Sequence, residues 1–386
     1  MTALQLNPNL LKVPLYIAGK SVEEVQEELG LDEVIKLGSN ENPLGPSPLA
    51  VQAAHAALSE AHRYPNYWDK ALRRKLAATI DPSFDQSYIL TGNGACDILR
   101  MVTQACMGEG GQTVTASATF PMYAILTTMF GGCTVELALT ADHRFDLPAV
   151  LRSVTPATRL IFLCTPNNPT GTIITQAEAD AFMAQVPEHV VVVFDESYGD
   201  FVADAQHVDS IRYIKAGRSV VTVRSFSKKA GLANLRVGYA IARPDLIEYL
   251  HHTQLPFNTG SVPLAAAAAS LDDHEYQRRS TQLVRQEREY LYAAFDALDL
   301  AYVRSHANFV LILDPPLAPK NLVDACLRAG IIVRWAGSFG MPNGVRVTVG
   351  TRAENERFIQ ALRHVLDETR RFPSRMTSSD PEVADA

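Results

Sequence analysis

The chain has 386 residues, 47% of them hydrophobic and 20% charged, with a net charge of −7. That length can bury one large or two ordinary domains without staples, and the acidic balance argues against nucleic acid as a main partner, although it leaves room for a local anion site. The five cysteines, Cys96, Cys106, Cys133, Cys164 and Cys326, are odd in number and make no CxxC pair, so neither a disulfide framework nor a metal site is expected.

The first sixteen residues, MTALQLNPNLLKVPLY, lack a charged stretch followed by an apolar one, so no signal peptide is expected. Residues 21–30, SVEEVQEELG, predict a helix with a serine cap, a glutamate three residues later and a terminal glycine. KLGSNENPLGPSP (36–48) predicts an ordered loop. YIL (88–90) then enters GNGA and the helical CDILRMVTQACM. TVTAS (113–117) predicts a strand, followed by a helix in TFPMYAILTTMF. RLIFLC (159–164), HVVVVF (189–194) and SVVTVR (219–224) are apolar, β-branched runs without alternation, as in strands buried on both faces. Helical stretches between them predict βαβ units, an α/β fold and a mostly parallel sheet.

After about residue 245 the pattern changes. A polar helix over 274–297 leads to FVLIL (309–313), IIVRW (331–335), VRVTVG (345–350) and a closing helix. The expected organisation is an N-terminal arm with part of a small domain (1–35), a large domain (36–262), a small α/β domain (263–370) and a disordered tail (371–386). No apolar run reaches membrane-spanning length, and a cytoplasmic protein without a membrane partner is expected.

Three of the apolar runs end in polar clusters. RLIFLC leads into TPNNPTG (165–171), HVVVVF into Asp195-Glu196-Ser197-Tyr198, and SVVTVR into Ser225-Phe226-Ser227-Lys228. Ligands of open α/β sheets bind beyond the carboxyl ends of strands, so Asn168, Asp195, Tyr198, Ser225 and Lys228 are expected in one pocket. A lysine beside a buried carboxylate suits carbonyl chemistry. Pyridoxal 5'-phosphate needs both, the lysine for its Schiff base and an anion against its pyridinium nitrogen. Asp195 follows four valines and Phe194; a poorly solvated carboxylate there requires a cationic partner. Tyr198 and Asn168 could hydrogen-bond the ring hydroxyl. Gly92-Asn93-Gly94-Ala95 opens a helix, whose free N–H groups and dipole favour a phosphate. Ser225 and Arg236 could complete that cup, and Phe120 could stack on the ring.

Singly, each element has a plainer reading. NNPTG suits a turn, Asp195 an ion-paired structural acid, Lys228 a surface lysine, and GNGA an ordinary helix start. Arg346 could pair with an acid on its own strand. Cys96 reads as a small residue rather than a reactive thiol, and Lys229 as a solvent-facing neighbour, yet it is the nearby rival for the Schiff base. The joint order and spacing overturn these readings.

NNPTG, then Asp-x-x-Tyr at a strand end, then Ser-x-x-Lys with an arginine eight residues after the lysine, resembles the fold-type I, pyridoxal-phosphate-dependent aminotransferases. PLYIAGKSVEEV, KLGSNENPLGPSP, RYPN, SKKAGLANLRVGYAIA and SFGMPNGVRVTVGTRAENERF narrow the resemblance to the histidinol-phosphate aminotransferases and extend it from about residue 14 to 368. The resemblance implies a large domain with a mostly parallel sheet and a smaller α/β domain. It makes Lys228 the Schiff-base lysine and proton carrier, Asp195 the pyridinium partner, and Tyr198 and Asn168 the ligands of the ring oxygen. Gly94, Ala95, Cys96, Ser225 and Arg236 would bind the phosphate. Tyr64, in RYP, would reach the phosphate from the neighbouring subunit, which implies a homodimer. Arg346 would grip the substrate α-carboxylate, and Arg334 the substrate phosphate, with Tyr16 and Asn40 also facing substrate.

The chain departs from the pattern in three places: Cys96 stands where an acidic residue is frequent, Asn234 where glycine is, and Lys229-Ala230 where Ala-Phe is more usual. Cys96 would offer its backbone N–H whatever its side chain, so these changes bear on substrate more than on reaction class. The expected function is transamination between histidinol phosphate and 2-oxoglutarate in histidine biosynthesis. Alternatives are an aromatic amino acid aminotransferase, a related decarboxylase, and a non-catalytic regulator that keeps the fold. The intact lysine, aspartate and phosphate cup argue against the last.

Overall fold

In the first helix, Val22–Leu29, the sequence signals act as expected. Ser21 Oγ accepts from the Glu24 N–H at 3.1 Å while Glu24 accepts from the Ser21 N–H at 2.6 Å, a reciprocal cap that satisfies two orphan donors. The helix ends at Gly30, whose φ of 64° is left-handed. The computed structural model describes residues 7–14, 19–108 and 110–371. The strands in chain order are β1 (Ile35–Lys36), β2 (Ile89–Asn93), β3 (Gln112–Ala116), β4 (Cys133–Leu137), β5 (Thr158–Cys164), β6 (Val191–Asp195), β7 (Val220–Ser225), β8 (Val237–Ala242), β9 (Ala301–Val303), β10 (Phe309–Leu313), β11 (Ile331–Ile332), β12 (Arg334–Trp335) and β13 (Gly344–Thr348).

The central sheet has the order β2-β8-β7-β6-β5-β3-β4. β8 runs antiparallel to β2 and β7, and the remaining pairs are parallel. Phe162, Val192, Val193, Phe194, Val220 and Val221 have no solvent exposure, because helices cover both faces of a parallel sheet. Burying each such side chain contributes about 1.5–3 kcal/mol. The register sets Cys164 opposite Asp195 and Asp195 opposite Val223. The carboxyl ends of β5, β6 and β7 are therefore level, and the polar residues that follow them emerge at one edge.

The second sheet, β12-β13-β10-β9, is antiparallel throughout. Its core joins Val310, Val345 and Val347 to Leu291 and Phe295 of the helix His274–Ala297 and to Phe358 and Leu362 of the helix Arg352–Arg371. Leu37 belongs to this core too, so the segment after the first helix is shared with the C-terminal part.

The structure corrects several local expectations. IIVRW is not one strand: β11 pairs with β1, whereas β12 pairs with β13. Periodicity cannot reveal that the chain changes partners at Val333. β4, an edge strand whose residues are only partly covered, was not anticipated, nor was β8, which carries small residues. The proposed tail lies outside the described residues apart from Arg371, which ends the last helix. Among the described residues no helix is long and apolar enough to cross a membrane.

Candidate active site

Beyond the ends of β5, β6 and β7 lies a cavity of ≈ 290 Å³. Asn168, Asp195, Tyr198, Ser225 and Lys228 all line it, though sixty residues separate the first from the last. Asn168 follows β5, Asp195 and Tyr198 lie at and just beyond the end of β6, and Ser225 and Lys228 at and just beyond the end of β7.

Asp195 is 3% exposed. Tyr123 Oη donates to its Oδ2 at 2.8 Å, and Ser197 donates to its Oδ1 from the backbone N–H at 3.0 Å and from Oγ at 2.6 Å. All three donors are neutral. Burial pushes the carboxyl upward, against the pull of these bonds. An acid so placed, facing a cavity, favours a cationic occupant.

Lys228 Nζ donates to Ser39 O at 3.3 Å and sits 5.5 Å from the centre of the Tyr198 ring. Burial, and then the nearby Arg346 guanidinium, lower its pKa from 10.5 to about 8. Lys229 points elsewhere and pairs with Asp200 at 2.6 Å. Tyr198 is buried, and burial pushes its hydroxyl to about 12; Asn40 Nδ2 donates to that oxygen at 3.0 Å.

The anion cup is built at the start of the helix Ala95–Cys106. Gly94 caps it with a φ of 80°, and a Cβ there would fall 2.3 Å from Arg236 Nη2, so glycine is what lets the guanidinium lie against the helix start. The N–H groups of Ala95 and Cys96 precede the first intrahelical bond and are free for a ligand. Arg236 has a left-handed backbone and donates to Ala233 O at 2.8 Å and Ser227 Oγ at 3.4 Å. Ser225 lines the cavity too. Burial raises the Cys96 thiol, which keeps it protonated. Phe120, in the loop after β3, lines the cavity and packs edge-on against Tyr123.

Arg334 of β12 and Arg346 of β13 also line the cavity and are register partners, so both guanidinium groups leave the same face of the sheet. Arg346, 4% exposed, donates to Asn168 Oδ1 at 2.6 Å and to Gly38 O at 2.7 Å. Both guanidinium carbons lie over the Phe339 ring, at 4.9 Å for Arg346 and 5.7 Å for Arg334. Asn40 lines the cavity, its N–H bonded to Thr348 Oγ1 at 2.9 Å.

Two of the anticipated residues are not brought in. Tyr64 is 82% exposed and stacks on Phe257 at 4.6 Å, outside the cavity of its own chain. Tyr16 lies outside the described residues. Sequence reasoning missed Tyr123, Ser197, Ser227 and Phe339. Tyr123 looks like a core position on the helix Met122–Met129, and only the fold turns its hydroxyl toward Asp195. Ser197 could have been found, since a serine two residues after a strand-end aspartate is placed for a local turn bond. Among the described residues no cluster of His, Cys, Asp and Glu could hold a metal ion.

The donor set of the cavity is therefore a buried acid, a lysine of lowered basicity, a cationic helix start and a pair of arginines. These residues fit pyridoxal phosphate, whose ring nitrogen, aldehyde and phosphate need those three kinds of partner.

Comparison with known proteins agrees. A family model described as aminotransferase class I and II matches residues 32–362. The histidinol-phosphate aminotransferase of Moorella thermoacetica is 42% identical over 358 residues, which cover 92% of each chain. That of Symbiobacterium thermophilum is 41% identical over 353 residues, 92% of this chain and 96% of its own. Among solved structures, the Sinorhizobium meliloti histidinol-phosphate aminotransferase in complex with pyridoxal-5'-phosphate superposes with a TM-score of 0.86, covering 95% of this chain and 99% of that one at 24% identity. A Thermus thermophilus aspartate aminotransferase variant gives 0.82 over 94% and 100% of the two chains at 22% identity. These structures carry the fold, that of the fold-type I pyridoxal-phosphate-dependent transferases. With the family model and such identities over nearly its whole length, the chain belongs to the class I and II aminotransferases and, among them, to the histidinol-phosphate aminotransferase family.

Proposed function

We propose that the enzyme binds pyridoxal 5'-phosphate at the cavity around Lys228 and moves an amino group between L-histidinol phosphate and 2-oxoglutarate. The observation that carries the reading is the union in one cavity of Lys228, Asp195 and the paired arginines Arg334 and Arg346.

When bound, pyridoxal phosphate supplies a carbonyl for amine exchange and an electron sink. Asp195 would hold the ring nitrogen as a cation, supported by Tyr123 and Ser197. The N–H groups of Ala95 and Cys96, with Ser225, Ser227 and Arg236, would bind the phosphate. Tyr198 and Asn168 would take the ring oxygen, and Phe120 one ring face. Lys228 Nζ, lowered to about 8, can release and regain a proton near neutral pH, as a proton carrier must. Arg346 suits the α-carboxylate of glutamate and 2-oxoglutarate, and Arg334 the phosphate of histidinol phosphate, because a planar guanidinium meets either oxyanion with paired bonds.

The reading includes a homodimer in which Tyr64 serves the neighbouring site, which accords with its exposure here. It also includes a cytoplasmic location, and residues 36–262 as the cofactor-carrying domain beside a smaller one formed by 263–370 with the N-terminal arm. Aromatic-donor, decarboxylase and non-catalytic alternatives are not favoured. The test is a panel of amino donors added singly to the cofactor-loaded enzyme, followed by the absorbance change of the cofactor. Histidinol phosphate should react fastest; a marked preference for phenylalanine or tyrosine would overturn the substrate assignment.

A further inference from the structure

We infer that the side-chain amide of Asn42 is a positioning device for Lys228, tying the main chain of the lysine turn to the helix His274–Ala297. The inference rests on the role proposed above for Lys228. Asn42 Nδ2 lies 3.1 Å from Lys228 O, 2.9 Å from Lys229 O and 2.7 Å from Ser280 Oγ. Two N–H bonds thus serve three oxygens on two separate elements. Ser280, within the helix His274–Ala297, has no solvent exposure. The other end of the same side chain works elsewhere: Asn42 Oδ1 accepts from the Leu44 N–H at 3.1 Å and closes a local turn. The two ends are therefore chemically separable.

The lysine turn depends on such outside support. Within Lys228–Gly231 one backbone bond closes the turn, Gly231 N–H to Lys228 O at 3.1 Å. Gly231 has a φ of 69°, and a Cβ there would sit 2.1 Å from Gly45 O. The lysine turn and the Asn42 loop are thus in backbone contact, joined further by the Ser47 N–H to Ala230 O bond at 3.2 Å. Tyr276, on the same helix as Ser280, donates its hydroxyl to Gly45 O. The loop also meets the lysine amine itself, through Ser39 O. One loop thereby holds Lys228 at both ends, and Asn42 carries the carbonyl end. A long flexible side chain reaches its target reproducibly only if its own backbone is fixed, and a displacement of about 1 Å can cost about a hundredfold in rate.

Asn42→Asp and Asn42→Ala separate the two ends. Aspartate keeps the shape and the acceptor for Leu44 but sets an oxygen against the carbonyls of Lys228 and Lys229, while the Ser280 hydroxyl can turn to donate to it; alanine removes both ends. The assay adds pyridoxal phosphate to cofactor-free protein. Entry is followed by quenching of tryptophan fluorescence, and covalent capture by Lys228 is followed by absorbance. Both variants should admit the cofactor normally but capture it roughly ten- to a hundredfold more slowly. The kcat should fall likewise, with KM for the donor unchanged. Ser280→Ala leaves both turns intact and should slow capture by a smaller factor, which keeps the idea testable if the Asn42 variants do not fold. Wild-type capture rates in Asn42→Asp, whether or not alanine is slow, would overturn the inference, as would no slowing in Ser280→Ala. A wild-type protein that takes up no pyridoxal phosphate would instead sink the cofactor reading.

Discussion

Replacing Tyr123 by phenylalanine isolates one bond to the acid at the centre of the site. The hydroxyl donates to Asp195 Oδ2 at 2.8 Å, and both residues are buried. The ring would remain stacked on Phe162, with centroids 4.7 Å apart, so packing is kept and the hydrogen bond is lost. A bond from a neutral donor to a charged group contributes about 1.5–3 kcal/mol. Its loss should shift the balance between carboxylate and carboxylic acid at any given pH by about ten- to a hundredfold toward the acid. Burial already raises Asp195 above the ordinary carboxylate range. A raised acid contributes stability that is fullest below its unfolded pKa and is lost as pH rises through the folded one. Melting of the cofactor-free variant against pH should therefore show that loss displaced to higher pH than in wild type. Affinity for pyridoxal phosphate, which needs the carboxylate, should start to fall at higher pH as the solution is acidified. Superimposable melting and binding curves for the two proteins would refute the assignment of Tyr123.

Asp195→Asn keeps the shape of the acid and removes its charge, so turnover should drop by about a hundredfold or more, as when a preorganised electrostatic partner is lost; a near-normal rate in single-turnover measurements would place the ring-nitrogen partner elsewhere. Lys228 in cofactor-free protein should capture pyridoxal phosphate with a pH midpoint of about 8, and Arg346→Met should move that midpoint upward by removing a nearby positive charge; a midpoint in the ordinary lysine range contradicts this. The stability linked to that depressed lysine is present above its unfolded pKa and lost as pH falls through about 8, a slope that the Lys228→Met protein should lack. Arg334→Ala should raise KM for histidinol phosphate by about ten- to a hundredfold while affecting phenylalanine much less; equal weakening of both donors would make Arg334 structural.

Much of the site was legible because β5, β6 and β7 write their depth directly into composition. Val190 to Phe194 have no room for alternation, which marks a strand covered on both faces, and the residue that breaks such a run, Asp195, has to emerge at its end. The helix start at Ala95 was legible for a related reason, since Gly94 can take a backbone conformation that other residues avoid. What stayed hidden depends on pairing across long sequence distances. The register of Arg334 against Arg346 cannot be read from IIVRW and VRVTVG separately. The break at Val333, the turn of Tyr123 toward Asp195, and the bond from Asn40 to Tyr198 each need three-dimensional neighbours. By composition KLGSNENPLGPSP reads only as an ordered loop, and the resemblance singles out Asn40 alone within it, yet its residues touch Lys228, Tyr198 and Arg346. Loops that serve as scaffolding carry little periodicity, so their packing role leaves few marks in composition.

The proposed site is tested most directly by reducing the enzyme, loaded with pyridoxal phosphate, with borohydride and mapping the labelled peptide. The geometry separates two adjacent candidates: Lys228 lines the cavity with a lowered pKa, while Lys229 is held by Asp200. One label per chain is expected on Lys228, lost in Lys228→Ala, and a label on Lys229 or no label at all would contradict the assignment of the Schiff-base lysine.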